Sequence, residues 1–262
     1  MNKLIPRSLS PYKLTAALIL VAAIFQSGLQ ARAVAPTMWQ LKYDTGSGEA
    51  NLFLSESGVR INYFYHQVLL CTAPKWQLCY FSTKLKNYYE LPLNSNMLEK
   101  EASLAGYDFR KAAVSGAENW CGARTSKATI TGKDFRLNSF STMIANDSLK
   151  ARSINLYETD ALPLNKDSFR ISQAFFAERY GVRSSKLPLG LKVVQPDGQE
   201  VWIFKLRSIK QIAFDPQIYE RPKNLSRAKT MGAVYLDDSQ QSALRDLAED
   251  MDLGTALGHK KK

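Results

Sequence analysis

The chain has 262 residues, a net charge of +11 from 35 Lys and Arg against 24 Asp and Glu, three Cys and two His. With only His66 and His259 present, no closely spaced set of metal ligands can be read. The positive charge is spread along the chain apart from Lys260, Lys261 and Lys262, which suits a solvated basic surface better than a nucleic-acid site. No Gly-x-Ser-x-Gly elbow, His-Glu-x-x-His pair or phosphate-binding Gly-rich loop occurs, so no catalytic residue is assigned and no enzyme, cofactor or metal is expected. A pair of carboxylates acting together would leave no trace in sequence spacing.

In chain order, the first element is an export signal. Lys3, Arg7 and Lys13 give a basic start, and Leu14 to Phe25 is an apolar run of twelve residues. A spanning helix needs about 20 such residues and a signal core roughly 7–15, so a cleaved signal is expected and an uncleaved anchor is the alternative. Ala31 and Ala33 match the small-x-small pattern, which places the cut after Ala33. Cleavage removes Lys3, Arg7, Lys13 and Arg32 and no acid, leaving 229 of the 262 residues at a net +7. The expected protein is exported, periplasmic or secreted, with no transmembrane segment after processing. Weak attraction to an anionic membrane surface is compatible with its charge.

Short segments rich in aromatic and β-branched residues follow: Met38–Tyr43, Ala50–Ser55 and Val59–His66, separated by the turn sequences DTGSGE and ESG. In the third, Val59, Ile61, Tyr63 and Tyr65 alternate with Arg60, Asn62, Phe64 and His66, which makes His66 a strand-surface residue. Next, Val68–Cys71 and Leu78–Phe81 flank a proline-bearing turn. With Pro74, Lys75 and Trp76 as the loop, counting outward sets Cys71 opposite Cys79 at the Cβ spacing a disulfide needs. A Cys71–Cys79 staple is therefore expected; a bridge involving Cys121, or free thiols, are the alternatives. No Cys-x-x-Cys motif is present.

Further strands are expected at Trp76–Thr83, Lys86–Leu93, Ser126–Gly132, Ala151–Thr159, Leu189–Gln195 and Val201–Phe214, the last two joined by the turn Pro196–Gln199. Helices are few. Asn96 with Glu99 opens one that ends at Gly106. Asp167 or Ser168 opens a second, closed by Gly181, whose broad apolar face of Phe169, Ile171, Phe175, Phe176 and Tyr180 reads as core packing. A third, acidic helix runs from Ser239 to Gly254. No linker divides the chain after the signal, so the expected organisation is a signal peptide over 1–33, one domain over 34–236, and a C-terminal helix and basic tail over 237–262.

The order of these elements resembles a known superfamily. The stretch Lys84–Pro92 (KLKNYYELP) with a helix after it, the Gly116–Gly122 segment leading into a strand, a helix ending AERYG (Ala177–Gly181), then KLPLGLKV (Lys186–Val193) and DPQIYERP (Asp215–Pro222), look like the periplasmic lipoprotein carriers of LolA/LolB type. The resemblance covers most of residues 38–222 and departs from those carriers in its cysteines and its long C-terminal extension. It implies a mainly β, α+β fold: a half-open antiparallel β-barrel with a few helices across its mouth and a C-terminal helix. It also implies a concave face that holds an apolar ligand or the acyl chains of a lipoprotein, each buried CH₂ contributing about 0.8 kcal/mol. The aromatic strands offer Phe53, Tyr63, Tyr65, Phe81, Tyr89, Trp202 and Phe204 as lining residues. The alternative is that such rings fill the interior, leaving an envelope scaffolding protein that docks a protein partner through an exposed strand edge.

Overall fold

The computed structural model describes residues 36–63, 66–93, 107–131, 151–237, 239–240 and 242. The export signal with its cleavage point at Ala33, the helix from Asn96, the side chain of Tyr65 and nearly all of the helix from Ser239 lie outside the described residues.

Six strands come first: β1 (Thr37–Thr45), β2 (Gly48–Leu54), β3 (Gly58–Tyr63), β4 (Gln67–Thr72), β5 (Gln77–Ser82) and β6 (Asn87–Leu91). The short β7 (Tyr107–Asp108) precedes β8 (Ala113–Trp120), β9 (Ala123–Thr131) and β10 (Ser153–Thr159). Helix α1 (Lys166–Tyr180) is followed by β11 (Val182–Arg183), β12 (Leu187–Val194) and β13 (Glu200–Ala213). The chain then passes through a 3₁₀ turn at Pro216–Tyr219 to β14 (Ser226–Arg227) and the single-turn α2 (Gly232–Tyr235). Twelve of these strands form one sheet in the order β14-β6-β5-β4-β3-β2-β1-β13-β12-β10-β9-β8, antiparallel except for the β14–β6 bridge, and β7 pairs in parallel with β11. Among the described residues the sheet ends at β14 on one side and β8 on the other and does not close into a barrel.

Strand alternation gives the sheet two apolar faces. Leu41 and Tyr43, Leu52 and Leu54, and Val59 and Ile61 point to one side and join a large core with Leu156, Leu189, Leu191, Phe204 and Leu206. At about 4.8 Å per strand a flat sheet of this size would be roughly 50 Å across, whereas a helix with its side chains is about 10–12 Å wide. Yet residues from β5 to β9 share one core with α1, so the sheet is curled around the helix. The other, outer face carries a smaller core of Met38, Val68, Leu70, Cys79, Phe81 and Tyr219, completed by Phe214, Ile218 and Leu225 from the segment after β13.

Helix α1 starts before either expected cap. Asn165 is the N-cap: its side-chain oxygen accepts from the Ser168 N–H at 2.7 Å, with Asp167 in the first turn. Gly181 ends the helix at φ 65°, a left-handed value that glycine adopts at no steric cost.

Three expectations are corrected. The β4–β5 turn takes four residues, Ala73 to Trp76, with Thr72 opposite Gln77, so Cys71 faces Leu78 and Cys79 faces Leu70. A slip of one residue reverses the side a residue points to. Cys71 therefore lies in the inner core and Cys79 in the outer one, and all three cysteines are free thiols. His66 sits exposed in the β3–β4 turn at φ 75°, not on a strand. Residues 113–120 are a strand and not merely a lead-in: β8 and β9 form a hairpin whose two central residues, Cys121 and Gly122, have φ 53° and 86°, while Gly116 at φ 59° sits in a bulge.

Candidate functional site

The inner face is where an apolar ligand would lie, and its own side chains occupy it. From α1, Phe176 meets Tyr43 of β1 at 5.7 Å between ring centroids and Phe204 of β13 at 5.1 Å. Tyr180 lies tilted against Phe204 at 4.6 Å, and Phe175 packs edge-on to Tyr63 of β3 at 5.3 Å. Tyr43, Phe176 and Phe204 are each 1% exposed. The Tyr43 hydroxyl is satisfied by donating to the Pro188 carbonyl at 2.9 Å, and burial raises its pKa well above the usual tyrosine value.

The proposed lining residues do not form one cleft. Tyr63 and Phe204 are in the inner core, with Tyr89 packed against it, whereas Phe81 belongs to the outer core and Phe53 packs against that. Trp202 also faces out. It clusters with Trp120 at 5.5 Å and Tyr157 at 5.4 Å, with the Lys192 and Lys205 ammonium groups at 5.3 and 5.2 Å from its ring. Gly190 floors this cluster: a Cβ there would stand 2.7 Å from the Trp120 ring and 3.0 Å from that of Trp202. Lys192 is held in place by an ion pair to Glu200 at 2.8 Å.

Where β5 and β6 meet the end of α1, the inner face carries polar groups. The hydroxyls of Tyr63 and Tyr235 are 3.0 Å apart, Tyr80 donates to Glu178 at 3.3 Å, and the Arg179 guanidinium lies 5.3 Å from the Tyr63 ring. Burial raises the pKa of Glu178, partly offset by the Tyr80 hydrogen bond, and burial likewise raises those of Tyr63 and Tyr235. Tyr235 comes from the segment after β13, a strap that crosses from the outer face to the inner one around the β6 edge.

The start of the strap is firmly held. Arg60 donates to the Ile218 carbonyl at 2.7 Å, Phe214 and Tyr219 stack at 5.6 Å, and Arg221 lies 3.8 Å from the Tyr88 ring centroid while paired with Glu90. Between this part of the strap and the sheet is an open groove of about 310 Å³, lined by residues including Leu70, Cys79, Glu90 and Arg221. The Arg221 N–H points at the Cys79 sulfur at 3.8 Å, and burial raises the Cys79 thiol pKa against that contact. At the far end of the sheet, β8 has β9 on one side and no strand on the other among the described residues. Val114, on β8, is 59% exposed.

The spacing of Phe175, Phe176 and Tyr180 assigns them to a core, but it does not identify Tyr43 as their partner, and neither the place of Tyr235 nor the contacts of Arg221, within the DPQIYERP stretch, can be read from the sequence. Tyr43 was legible from its parity with Leu41; Tyr235, in the short GAVY run, carried no periodic signal.

Among the described residues no group of three or more His, Cys, Asp or Glu is placed to hold a metal ion, and no helix is long and apolar enough to cross a membrane. No protein-family model matches the chain, and no curated protein does. Among solved structures it is similar to an uncharacterized conserved protein from Thermus thermophilus, with 9% identity, 79% of this chain and 98% of that one covered, and a TM-score of 0.38. It is also similar to MucB in complex with MucA(peri), at 12% identity, 75% and 57% coverage and a TM-score of 0.35. The Pseudomonas aeruginosa MucA/MucB complex gives 10% identity, 74% and 59% coverage and a TM-score of 0.32. The chain thus spans less than two thirds of either MucB-complex chain it matches.

Proposed function

We propose that the chain is an exported, non-catalytic protein of the cell envelope that works by binding another protein, with β8 as the docking strand. The observation that carries this reading is the occupation of the inner face. Tyr43, Phe176 and Phe204, from two strands and a helix, are interlocked at 1% exposure in the place where an acyl chain would lie. Of the two readings of the aromatic strands, the filled interior is the one this packing supports. An open strand end presents backbone N–H and C=O groups that pair readily with an extended segment of a partner. The location is supported by the basic-to-apolar N-terminus and the Ala31-x-Ala33 pattern.

The test has two arms. Native mass spectrometry of the exported protein, followed by organic extraction, should give a mass free of lipid. A photo-crosslinking residue at Val114 should give a discrete protein adduct in the native envelope, and one at Lys166 should not. A lipid co-purifying near one to one would overturn the reading in favour of lipid carriage, and the absence of any adduct at position 114 would remove β8 as the docking strand.

A further inference from the structure

The strap differs in how its two halves are held. Its first half, up to Arg221, is fixed by the cation–ring stack, the ion pair and the Arg60 bond described above. Its second half, from Pro222 to Asp237, buries one residue, Val234, at 1% exposure. It lies along the β6 edge in parallel pairing, Ser226 beside Asn87 and Arg227 beside Tyr88, with bonds that include Ser226 N–H to the Lys86 carbonyl at 2.9 Å and Ala228 N–H to the Tyr88 carbonyl at 2.7 Å. Ser226 and Arg227, the paired residues, are both exposed. After a turn it inserts Val234 and Tyr235 into the notch between β5, β6 and α1. There the Tyr235 ring stands 6.3 Å from that of Tyr80, its hydroxyl meets that of Tyr63, and Asn87 donates to the Ala233 carbonyl at 2.5 Å.

This is the geometry of an added β-strand followed by an anchoring side-chain pair, a recurring way for a sheet to hold a peptide: main-chain bonds supply affinity and side-chain pockets supply selectivity. We propose that the β6 edge and the notch beside it are a peptide-binding site held shut by the chain's own strap. Its outside ligand is an extended segment of a partner protein carrying a β-branched residue followed by an aromatic one. The inference rests on the reading of the chain as a protein-binding protein and adds a second, regulated site to it. The strap shows what the site accepts: an extended stretch in parallel with β6, a turn, and a hydroxylated ring that reaches Tyr63. A tethered occupant competes at an effective concentration on the order of millimolar, so an outside peptide binds measurably only when the anchor is weakened or the partner's own segment fits better.

The experiment uses the full chain and a fluorescent peptide of its own sequence, LSRAKTMGAVYLD, from Leu225 to Asp237. Binding is read by anisotropy against the wild type, the double variant Val234→Asp/Tyr235→Ser, and the milder single variants Val234→Ala and Tyr235→Phe. Hydrogen exchange at the Ser226 and Ala228 amides reports whether the strap has left, and exchange in β1 and β13 reports that the fold has not. The double variant should bind the peptide at least tenfold more tightly than the wild type, with the single variants between them. A peptide with serine in place of its tyrosine should lose at least tenfold.

If the strap amides lose protection and the peptide still does not bind, the site holds no peptide and the proposal fails. It fails equally if those amides stay protected in the double variant, since the anchor pair would then not be what holds the strap. Should the double variant unfold, equal binding by the wild type and both single variants is the refuting result. None of these readouts involves β8, so failure here and failure of the Val114 adducts are separate outcomes.

Discussion

Replacing Phe176 with alanine separates a filled interior from a hollow one. Phe176 is 1% exposed and touches Tyr43, Phe175, Tyr180 and Phe204 at centroid distances of 5.1 to 5.9 Å. Two of those neighbours stand on β1 and β13, which are bonded to each other and to further strands on their outer sides, so the sheet cannot close over the missing ring. The loss should lie in the upper part of the range for Phe to Ala, about 4–5 kcal/mol, because transfer and cavity costs both apply. For a domain of this size that lowers the melting temperature by about 10–15 °C. Urea unfolding followed by circular dichroism and by tryptophan fluorescence would measure it, and an unchanged denaturant slope would show that the native fold is retained. The hole should also be dry and apolar, so benzene or indole should stabilise the variant and leave the wild type unaffected. A loss below about 2 kcal/mol, with no stabilisation by benzene, would refute the filled interior, since removing a ring from the wall of an open cleft forfeits contacts on one side only.

Further perturbations address the rest of the fold. Gly190→Ala drives a methyl group into the Trp120 and Trp202 rings and should cost about 1–3 kcal/mol, measured by the same urea titration. An effect within experimental error would mean that the outer aromatic cluster moves freely. Burial raises the pKa of Tyr180 and of Tyr219 from 10.0 to about 12 and that of Cys71 from 9.0 to about 12. Because these folded-state values are the higher ones, the stability involved is complete below pH 9 and is lost as pH rises towards 12, so the melting temperature should fall steadily from pH 9 to 11. A flat profile over that interval would contradict their burial. Under non-reducing conditions Cys121 should be alkylated in the native protein, Cys71 and Cys79 should react only after denaturation, and no linked Cys71–Cys79 peptide should be found by mass mapping.

Most of the sheet was legible because its strands alternate cleanly and its turns carry Gly, Pro and Asp. Leu41 and Tyr43, or Val59 and Ile61, mark an inner face without help from any neighbour. What stayed hidden depended on quantities that alternation does not encode. The Cys71–Cys79 hairpin turned on whether its loop had three residues or four, and one residue was enough to send the two thiols to opposite faces. The Gly116–Gly122 segment read only as a lead-in to a strand, because the bulge at Gly116 is invisible until the partner strand is known. The candidate cleft failed for a related reason: Phe53 and Phe81 were chosen for their aromatic character, although their parity with Leu52 and Tyr80 sends them outward. Tyr235 carried no local signal at all, since its place is set by the path of the strap around the sheet.

That path also bears on how copies of this chain meet. A sheet with one strand long enough to pair, β8, can add a single neighbour, because the two-residue β14 that ends the other side offers little, and two copies joined through β8 would then stop at a pair. With the β6 end uncovered the same molecule has two, and head-to-tail addition then has no geometric limit. On that reading the strap would act as a chain terminator in the polymer sense. Its backbone bonds to β6 and the Val234–Tyr235 anchor would then stand between a protein that pairs and one that grows into fibres, and solution conditions that loosen them would be conditions for polymerisation.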